Sequence, residues 1–409
     1  MFRDPGVRRV VLARFISRVG GEAAFFVGIW GKAAFNLNAT PGELAFVMGA
    51  LGIASLIGAS LAGVLVDRFD PRRVVLFGEV VFVPVAIGLV FTNTIESLAV
   101  ATFLLGLVGT PVFTAVASFA PFLTDDDDRL AKINGQIEGA SWAAFVVGPA
   151  AGAILAGPIG VDAIFVLDAV TSAVAAILIV PVKPRRLGAD QPSGRGLAEL
   201  RAGFKHSYGH PRLRFYIFLG SAVWLLFGNF SALEPLFFRD VLGAEVEALG
   251  WINSIFGVGL VAGTWIASHL PRRLRTARSL TVIVAMNAIG TDMITVVAAA
   301  APLWGIIIGV MAPLHRTMIQ INSPDEMVGR IMGVNHVHSE VGHLIPLAIA
   351  PALAAAFGVQ QTLLASGLVV AVVAGFFWPA AVRLDRTREI DVPTTGLGDP
   401  ADEPKTVGP

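Results

Sequence analysis

The sequence predicts an all-α integral membrane protein of twelve transmembrane helices, with both ends of the chain on the same side. Three observations lead there. The 409 residues are 55% hydrophobic and 15% charged, with a mean hydropathy of +0.72, whereas about a quarter of the residues in a soluble domain are charged. The apolar runs reach about 20 residues, the length of a helical span and far longer than the strands of an outer-membrane barrel. Lys and Arg are concentrated in alternate loops.

At about 20 apolar residues per span, the helices fall at 9–35, 43–66, 73–93, 97–120, 131–157, 161–181, 213–240, 247–269, 278–299, 301–321, 327–357 and 360–382. Of the 30 Lys and Arg residues, 25 lie in, or within four residues of, the amino terminus, alternate loops and the carboxyl tail, which the positive-inside rule assigns to the cytoplasm. The opposite loops hold only Arg239, and Arg14, Arg18, Lys32 and Arg316 fall inside spans. The chain thus divides into a six-helix bundle over 1–181, a Pro-, Gly- and Arg-rich cytoplasmic linker over 182–212, a second six-helix bundle over 213–385 and a disordered tail over 386–409.

The halves share short matches. Gly63, Pro71, Arg72 and Arg73 recur 200 residues later as Gly263, Pro271, Arg272 and Arg273, and "KINGQIEGASWAAFVVGP" aligns with "RIMGVNHVHSEVGHLIPL" at an offset of 198. Duplicated units of this kind build transporters. The absence of cysteine excludes a disulfide framework and a thiolate metal site, and a formal net charge of zero gives no reason to expect nucleic acid as a partner. The basic start is followed by no small-residue cleavage site. Nothing matches a nucleophile elbow, a zinc helix or a Walker loop, so no enzyme, cofactor or ATP-driven pump is expected. "GVGLVAG" lies mid-span with no strand before it, and Gly259 and Gly263 therefore read as a packing pair.

"GVLVDRFDPRR" joins the second and third spans. An aspartate at a helix end accepts backbone N–H groups or opposes the positive amino terminus of a neighbouring helix, while arginines clamp carboxylates or carbonyls. In this order Gly63, Asp67, Arg68, Arg72 and Arg73 resemble the signature loop of the major facilitator superfamily, with Asp70 where a glycine is usual. "LARFIS", "TDDDDRLAKINGQ" and "INSPDEMVGRIMGV" extend the resemblance over nearly the whole chain, toward the drug:proton antiporter branch with its macrolide and enterobactin exporters. On the fifth span, Gly135, Gly148, Pro149 and Gly152 resemble the antiporter motif of that superfamily, with Ala144 and Ala153 replacing glycines. Read physically, small residues permit close packing there and Pro149 permits a bend. The resemblance implies a gating latch at the loop and export rather than import.

Arg14, Arg18 and Glu22 recur every four residues and stack along one helical stripe. Each charge at the bilayer centre costs about 2.5 to 3.5 kcal/mol on the insertion scale, so these side chains need water or one another. The resemblance implies that spans 1, 4, 7 and 10 line a central cavity. On that arrangement the substrate-binding candidates are Arg14, Arg18, Trp224, Phe227, Asn229, Phe230, His315 and Arg316. The proton-coupling candidates are Glu22 first, then Glu234, His336, Glu340 and His343. The last three share one helical face, which can relay protons, hold a divalent metal or pack; His338 points elsewhere, which argues against a metal cage. Glu79 is assigned to the latch, and Asp168 and Asp292 to helix contacts.

The resulting expectation is a proton-coupled secondary exporter of small amphipathic molecules, such as a drug, a macrolide or a siderophore. It works as a monomer in the bacterial cytoplasmic membrane by alternating access. An importer, or a lipid or metal transporter, of the same fold is the first alternative, and a transport-inactive scaffold or sensor the second.

Overall fold

The computed structural model describes residues 4–117, 119–124, 126–183, 196–271, 274–286, 294–324 and 327–391. Among these, the regular structure is helical throughout. Thirteen α-helices follow one another: α1 (Pro5–Ala23), α2 (Pro41–Arg68), α3 (Pro71–Val90), α4 (Ile95–Ala117), α5 (Asp127–Ile159), α6 (Asp162–Ile179), α7 (Gly196–Gly209), α8 (Pro211–Leu236), α9 (Glu247–Ser268), α10 (Ala277–Ala285), α11 (Ile294–Ile321), α12 (Val328–Phe357) and α13 (Val359–Asp391). Ten of them, all but α1, α7 and α10, are long and apolar enough to cross a membrane. Helix α1 misses that class because of its charges, yet it runs on through two π-helical turns, Ala24–Ile29 and Lys32–Asn36.

The helix starts are written locally. Thr40 and Glu43 form a reciprocal capping box ahead of α2, and Asp70 accepts from the Arg72 N–H at 2.9 Å to start α3 behind Pro71. This cap is the role of the aspartate that stands in the place of the usual glycine. Helix α10 is capped from a distance: Asp385 of α13, buried, accepts from the N–H groups of Ala277 at 2.8 Å and Arg278 at 3.0 Å.

Three boundaries depart from the sequence reading. Helix α11 takes in residues 294–299, expected in the ninth span, because "VVAAAAPLW" holds no stop before Pro302 and a proline within a packed membrane helix bends it rather than ending it. Residues 287–293, with Asp292, lie outside the described residues. The linker contains α7, whose Gly203 rests against the Arg330 carbonyl of α12 and whose Tyr208 hydroxyl meets His338 Nε2 at 2.8 Å. Helix α13 continues past 385 to Asp391.

The packing of the first six helices recurs in the second set. Helix α1 lies against α5 and α6, α2 against α4, and α3 against α6; α8 lies against α12 and α13, α9 against α11, and α10 against α13. Between α9 and α11, a Cβ added at Gly259 or Gly263 would enter the backbone of Pro302 or Ile306, and one at Gly305 or Gly309 the backbone of Phe256 or Leu260. These four glycines let the two helix backbones touch, as the sequence pair anticipates.

The two sets meet at the end away from the amino terminus. There Ser254 of α9 donates to the Val146 carbonyl of α5 at 2.6 Å, and Arg239 donates to the carbonyls of Ala34 and Ala39. Arg239 stands in a π-helical turn, Phe237–Val241, that ends the α8 run as Lys32–Asn36 ends the α1 run. Lys32 is buried at the same end and ties three elements, donating to the carbonyls of Leu89 (2.8 Å) and Val90 (2.9 Å) and to Asp162 (2.8 Å). A cation on the last carbonyls of α3 meets the negative end of that helix.

Candidate functional site

A cavity of about 450 Å³ lies in the first helical set, lined by Arg14, Arg18, Glu22, Phe113, Phe145 and Asp168 among others. The four-residue spacing on α1 places the three charges along one wall. Arg18 Nη2 stands 2.5 Å from Glu22 Oε1, with Glu22 5% exposed. The N–H directions do not align with that oxygen, so the contact is an ion pair rather than a hydrogen bond. Among the described residues, neither Glu22 Oε1 nor Arg18 Nε has a hydrogen-bond partner. Both keep hydrogen-bonding capacity beside the cavity.

Arg14 is held more firmly. Its Nε donates to Ser141 Oγ of α5 at 2.8 Å, and that hydroxyl donates to the Ile137 carbonyl at 3.0 Å. The guanidinium groups of Arg14 and Arg18 lie 4.9 Å and 5.9 Å from the Phe113 ring centroid, so one α4 ring is shared by both cations. Gly148 and Gly152 of α5 back the α1 run, Gly148 against Glu22 and Gly152 against Val27 in the first π-helical turn. Gly135 of the same motif has nothing within 4 Å of its would-be Cβ.

Two acidic residues belong here that the sequence reading placed elsewhere. Glu79 is buried and accepts from Ser17 of α1 at 3.1 Å and from Ser172 of α6, while Asp168 is buried and lines the cavity. The reason is depth: Glu79 sits two turns into α3, beyond the reach of the loop, and α6 packs its Asp168 face directly on α1 at Gly20. Paired hydroxyls at Ser17 and Ser172 were the signal that could have located them.

The remaining candidates are dispersed. Asn229 is buried and donates to Ser366 of α13 at 2.7 Å, and His315 is buried and donates from Nε2 to the Tyr216 carbonyl at 2.9 Å; both make helix contacts, and neither is among the residues that line the charged cavity. Arg316, the next residue along α11, is exposed. Trp224 and Phe227 pack side by side with ring centroids 5.5 Å apart, and Phe227 and Phe230 both stack toward Trp304. His343 lies 6.3 Å from Trp224, ring to ring, while His336 is exposed and Glu340 half-buried. Among the described residues no three of His, Asp and Glu converge as a metal requires. Glu234 lines a separate chamber in the second set.

In the signature loop, Arg72 donates to the carbonyls of Ile179 (3.4 Å) and Val180, where α6 ends, and Arg73 is exposed. The backbone at Gly63, Asp67 and Arg68 is helical, and their side chains lie outside the described residues.

Residues 10–346 match the sequence model of the Major Facilitator Superfamily. The multidrug efflux pump Tap of Mycobacterium tuberculosis is 26% identical over 405 residues, covering 94% of both chains. The enterobactin exporter EntS of Shigella flexneri is 23% identical over 405 residues, again with 94% of both covered. Among solved structures, the nucleoside transporter NupG superposes at a TM-score of 0.70 and 11% identity, over 92% of this chain and 99% of its own. A POT family transporter in complex with 5-aminolevulinic acid does so at 0.74 and 13%, over 93% and 96%.

Proposed function

This chain belongs to the major facilitator superfamily, and on that premise we propose that it is a proton-coupled secondary exporter of small amphipathic molecules. The observation that carries this is the Arg18–Glu22 ion pair on the wall of the α1 cavity, with a carboxylate oxygen and a guanidinium N–H free of hydrogen-bond partners among the described residues. The efflux pump and exporter names of the full-length relatives support the direction.

Coupling follows from shared use of one carboxylate. A substrate that donates an N–H or O–H to Glu22 competes with a proton for it, so each weakens the binding of the other, and linkage makes the effect reciprocal. That is the sign antiport requires. A substrate holding only Arg18 would leave the Glu22 carboxyl without its countercharge, so substrate and proton would bind together, which is the sign of symport. Apolar substrate surface is met by Phe113 and Phe145. Protonation from the far side then releases substrate and resets the protein. With the termini cytoplasmic, the contacts of Arg239 and Ser254 close the outer end, and the cavity belongs to an inward-facing state.

The test uses proteoliposomes, with ethidium as an amphipathic cationic probe and an imposed pH gradient. Expected is ethidium movement that follows the gradient and is matched by counterflow of protons. Movement indifferent to the gradient, or driven together with protons into the cell-equivalent side, overturns the reading in favour of a facilitator or an importer.

A further inference from the structure

The second helical set holds a chamber of about 100 Å³ between α8, α9, α11 and α13 that the export mechanism above does not use. Its wall is aromatic: the Trp304 ring centroid lies 4.9 Å from that of Phe230 and 5.1 Å from that of Phe256, both tilted. Set into this wall is one carboxylate, Glu234. It accepts a single neutral hydrogen bond of 3.3 Å from Asn253 Nδ2, and that same amide donates to the Leu249 carbonyl at the shorter distance of 2.9 Å. Among the described residues no Lys, Arg or His forms an ion pair with Glu234. The nearest basic residue along the chain, Arg239, is already engaged with Asp240 at 2.6 Å and with the carbonyls of Ala34 and Ala39. Among the described residues, Asn253 and Gln360 add uncharged amide side chains to the lining.

A carboxylate set among several aromatic rings, with no basic partner among the described residues, is an arrangement that favours a cation. The rings attract an ammonium through their quadrupoles, by about 0.5 to 2 kcal/mol each according to desolvation, and the carboxylate supplies the counter-charge. A cavity of this size has room for several waters or one small head group. A guanidinium or carboxylate ligand fits less well: the first needs several in-plane acceptors, and the second would face Glu234. We infer that this chamber is a second, cation-selective binding site that takes the ammonium head of an alkylamine or quaternary ammonium compound, with Glu234 as counter-ion and Phe230, Phe256 and Trp304 as its cage. The same head group occurs on free amphipathic amines and on aminolipids.

The probe is choline, titrated calorimetrically into the purified full-length protein, with 3,3-dimethylbutanol as its neutral isostere. Choline is expected to bind at least tenfold more tightly than the isostere. Glu234→Gln is expected to weaken choline at least tenfold while changing the isostere less than twofold, and Trp304→Leu to weaken choline with Trp304→Phe intermediate. Gradient-driven ethidium movement reads the export site and choline affinity reads this one, so failure of the export reading and failure of this one give different results. Equal binding of choline and isostere, or choline binding indifferent to both Glu234→Gln and Trp304→Leu in variants that retain the parent melting temperature, overturns the site. Repeating the titration in nanodiscs separates the sources. Competition from phosphatidylcholine relative to phosphatidylglycerol supports the site with lipid as its occupant, and equal affinity in both supports it with a free amine.

Discussion

Gly148 of α5 lies against Glu22 of α1 so closely that a Cβ added at Gly148 would stand 2.6 Å from the Glu22 Cβ and 2.7 Å from the Val19 carbonyl oxygen. A glycine of the fifth span thereby sets the position of the carboxylate in the first. Backbone and side-chain root are both in the way, so neither can swing clear. Gly148→Ala is expected to cost about 1 to 3 kcal/mol of stability as overpacking and to reduce export. Gly135→Ala, in open space within the same helix, should lie within about 0.5 kcal/mol of the parent. Melting curves of the two variants in one detergent check the contrast.

Glu22→Gln keeps the shape of the side chain and removes its ability to exchange a proton. Substrate binding is expected to persist, while export driven by a pH gradient is lost. Arg18→Ala should impair both, because it leaves Glu22 buried beside the cavity without its ion-pair partner. Dye efflux with and without an imposed gradient measures this. A Glu22→Gln protein that still exports with the parent's pH dependence moves the coupling to another carboxylate, with Glu79 and Asp168 nearest at hand.

How far the sequence carried depended on the range of the interaction. The helical nature of the chain, the α1 stripe and the Gly259–Gly263 seam were legible because period and composition are local properties. Arg18 and Glu22 pair because four residues make one turn, which any helix imposes. The positions of Glu79 and Asp168 were not legible, since each depends on which face α3 and α6 turn toward α1, and that is fixed by partners far along the chain. Asn229 and His315 show the same limit: a polar residue in a span signals a need for a partner without saying whether the partner is Ser366, a backbone carbonyl or a substrate. Helix α7 was hidden behind a composition that reads as linker.

Arg239 links the π-helical ends of the α1 and α8 runs through the carbonyls of Ala34 and Ala39. Its removal should loosen closure at that end with little effect on folding. The chain has no cysteine, so a single Ala153→Cys reporter on the buried α5 surface facing Gly250 carries no background. Maleimide labelling from the side away from the termini is expected to accelerate several-fold in Arg239→Ala. An unchanged labelling rate would mean that the α5–α9 contacts, Ser254–Val146 among them, hold the closure without Arg239.

His206 and His210 stack at the junction of α7 and α8, with ring centroids 6.2 Å apart and planes 10° from parallel. Partial burial, then the charges of His206 and Arg212, hold His210 below its ordinary value of 6.5. A histidine depressed in the folded state binds fewer protons than in the unfolded chain, so its contribution is present above 6.5 and fades as pH falls below it. Melting temperature is expected to decline on acidification through that range, and His210→Gln to flatten the decline. A variant with the same pH profile as the parent would assign the effect to other groups.

The signature loop makes the sharpest claim about motion. Arg72 binds the last carbonyls of α6, and Asp70 caps α3, so the described part of the loop ties α3 to α6 at the amino-terminal end. Such a tie stabilises one arrangement of these helices through charge-assisted bonds at a helix carboxyl end, where a cation is favoured. If the loop works as a latch, Asp67 completes it from the end of α2, and its charge matters more than its size. Asp67→Asn is expected to remain in the membrane at the parent level while losing most transport. Arg72→Lys should retain only part, because a point charge cannot span two carbonyls as a guanidinium fork does. Transport rates normalised to purified protein test both. Parent-level transport by Asp67→Asn, together with full activity of Arg72→Lys, would reduce the loop to a positively charged anchor at the membrane face.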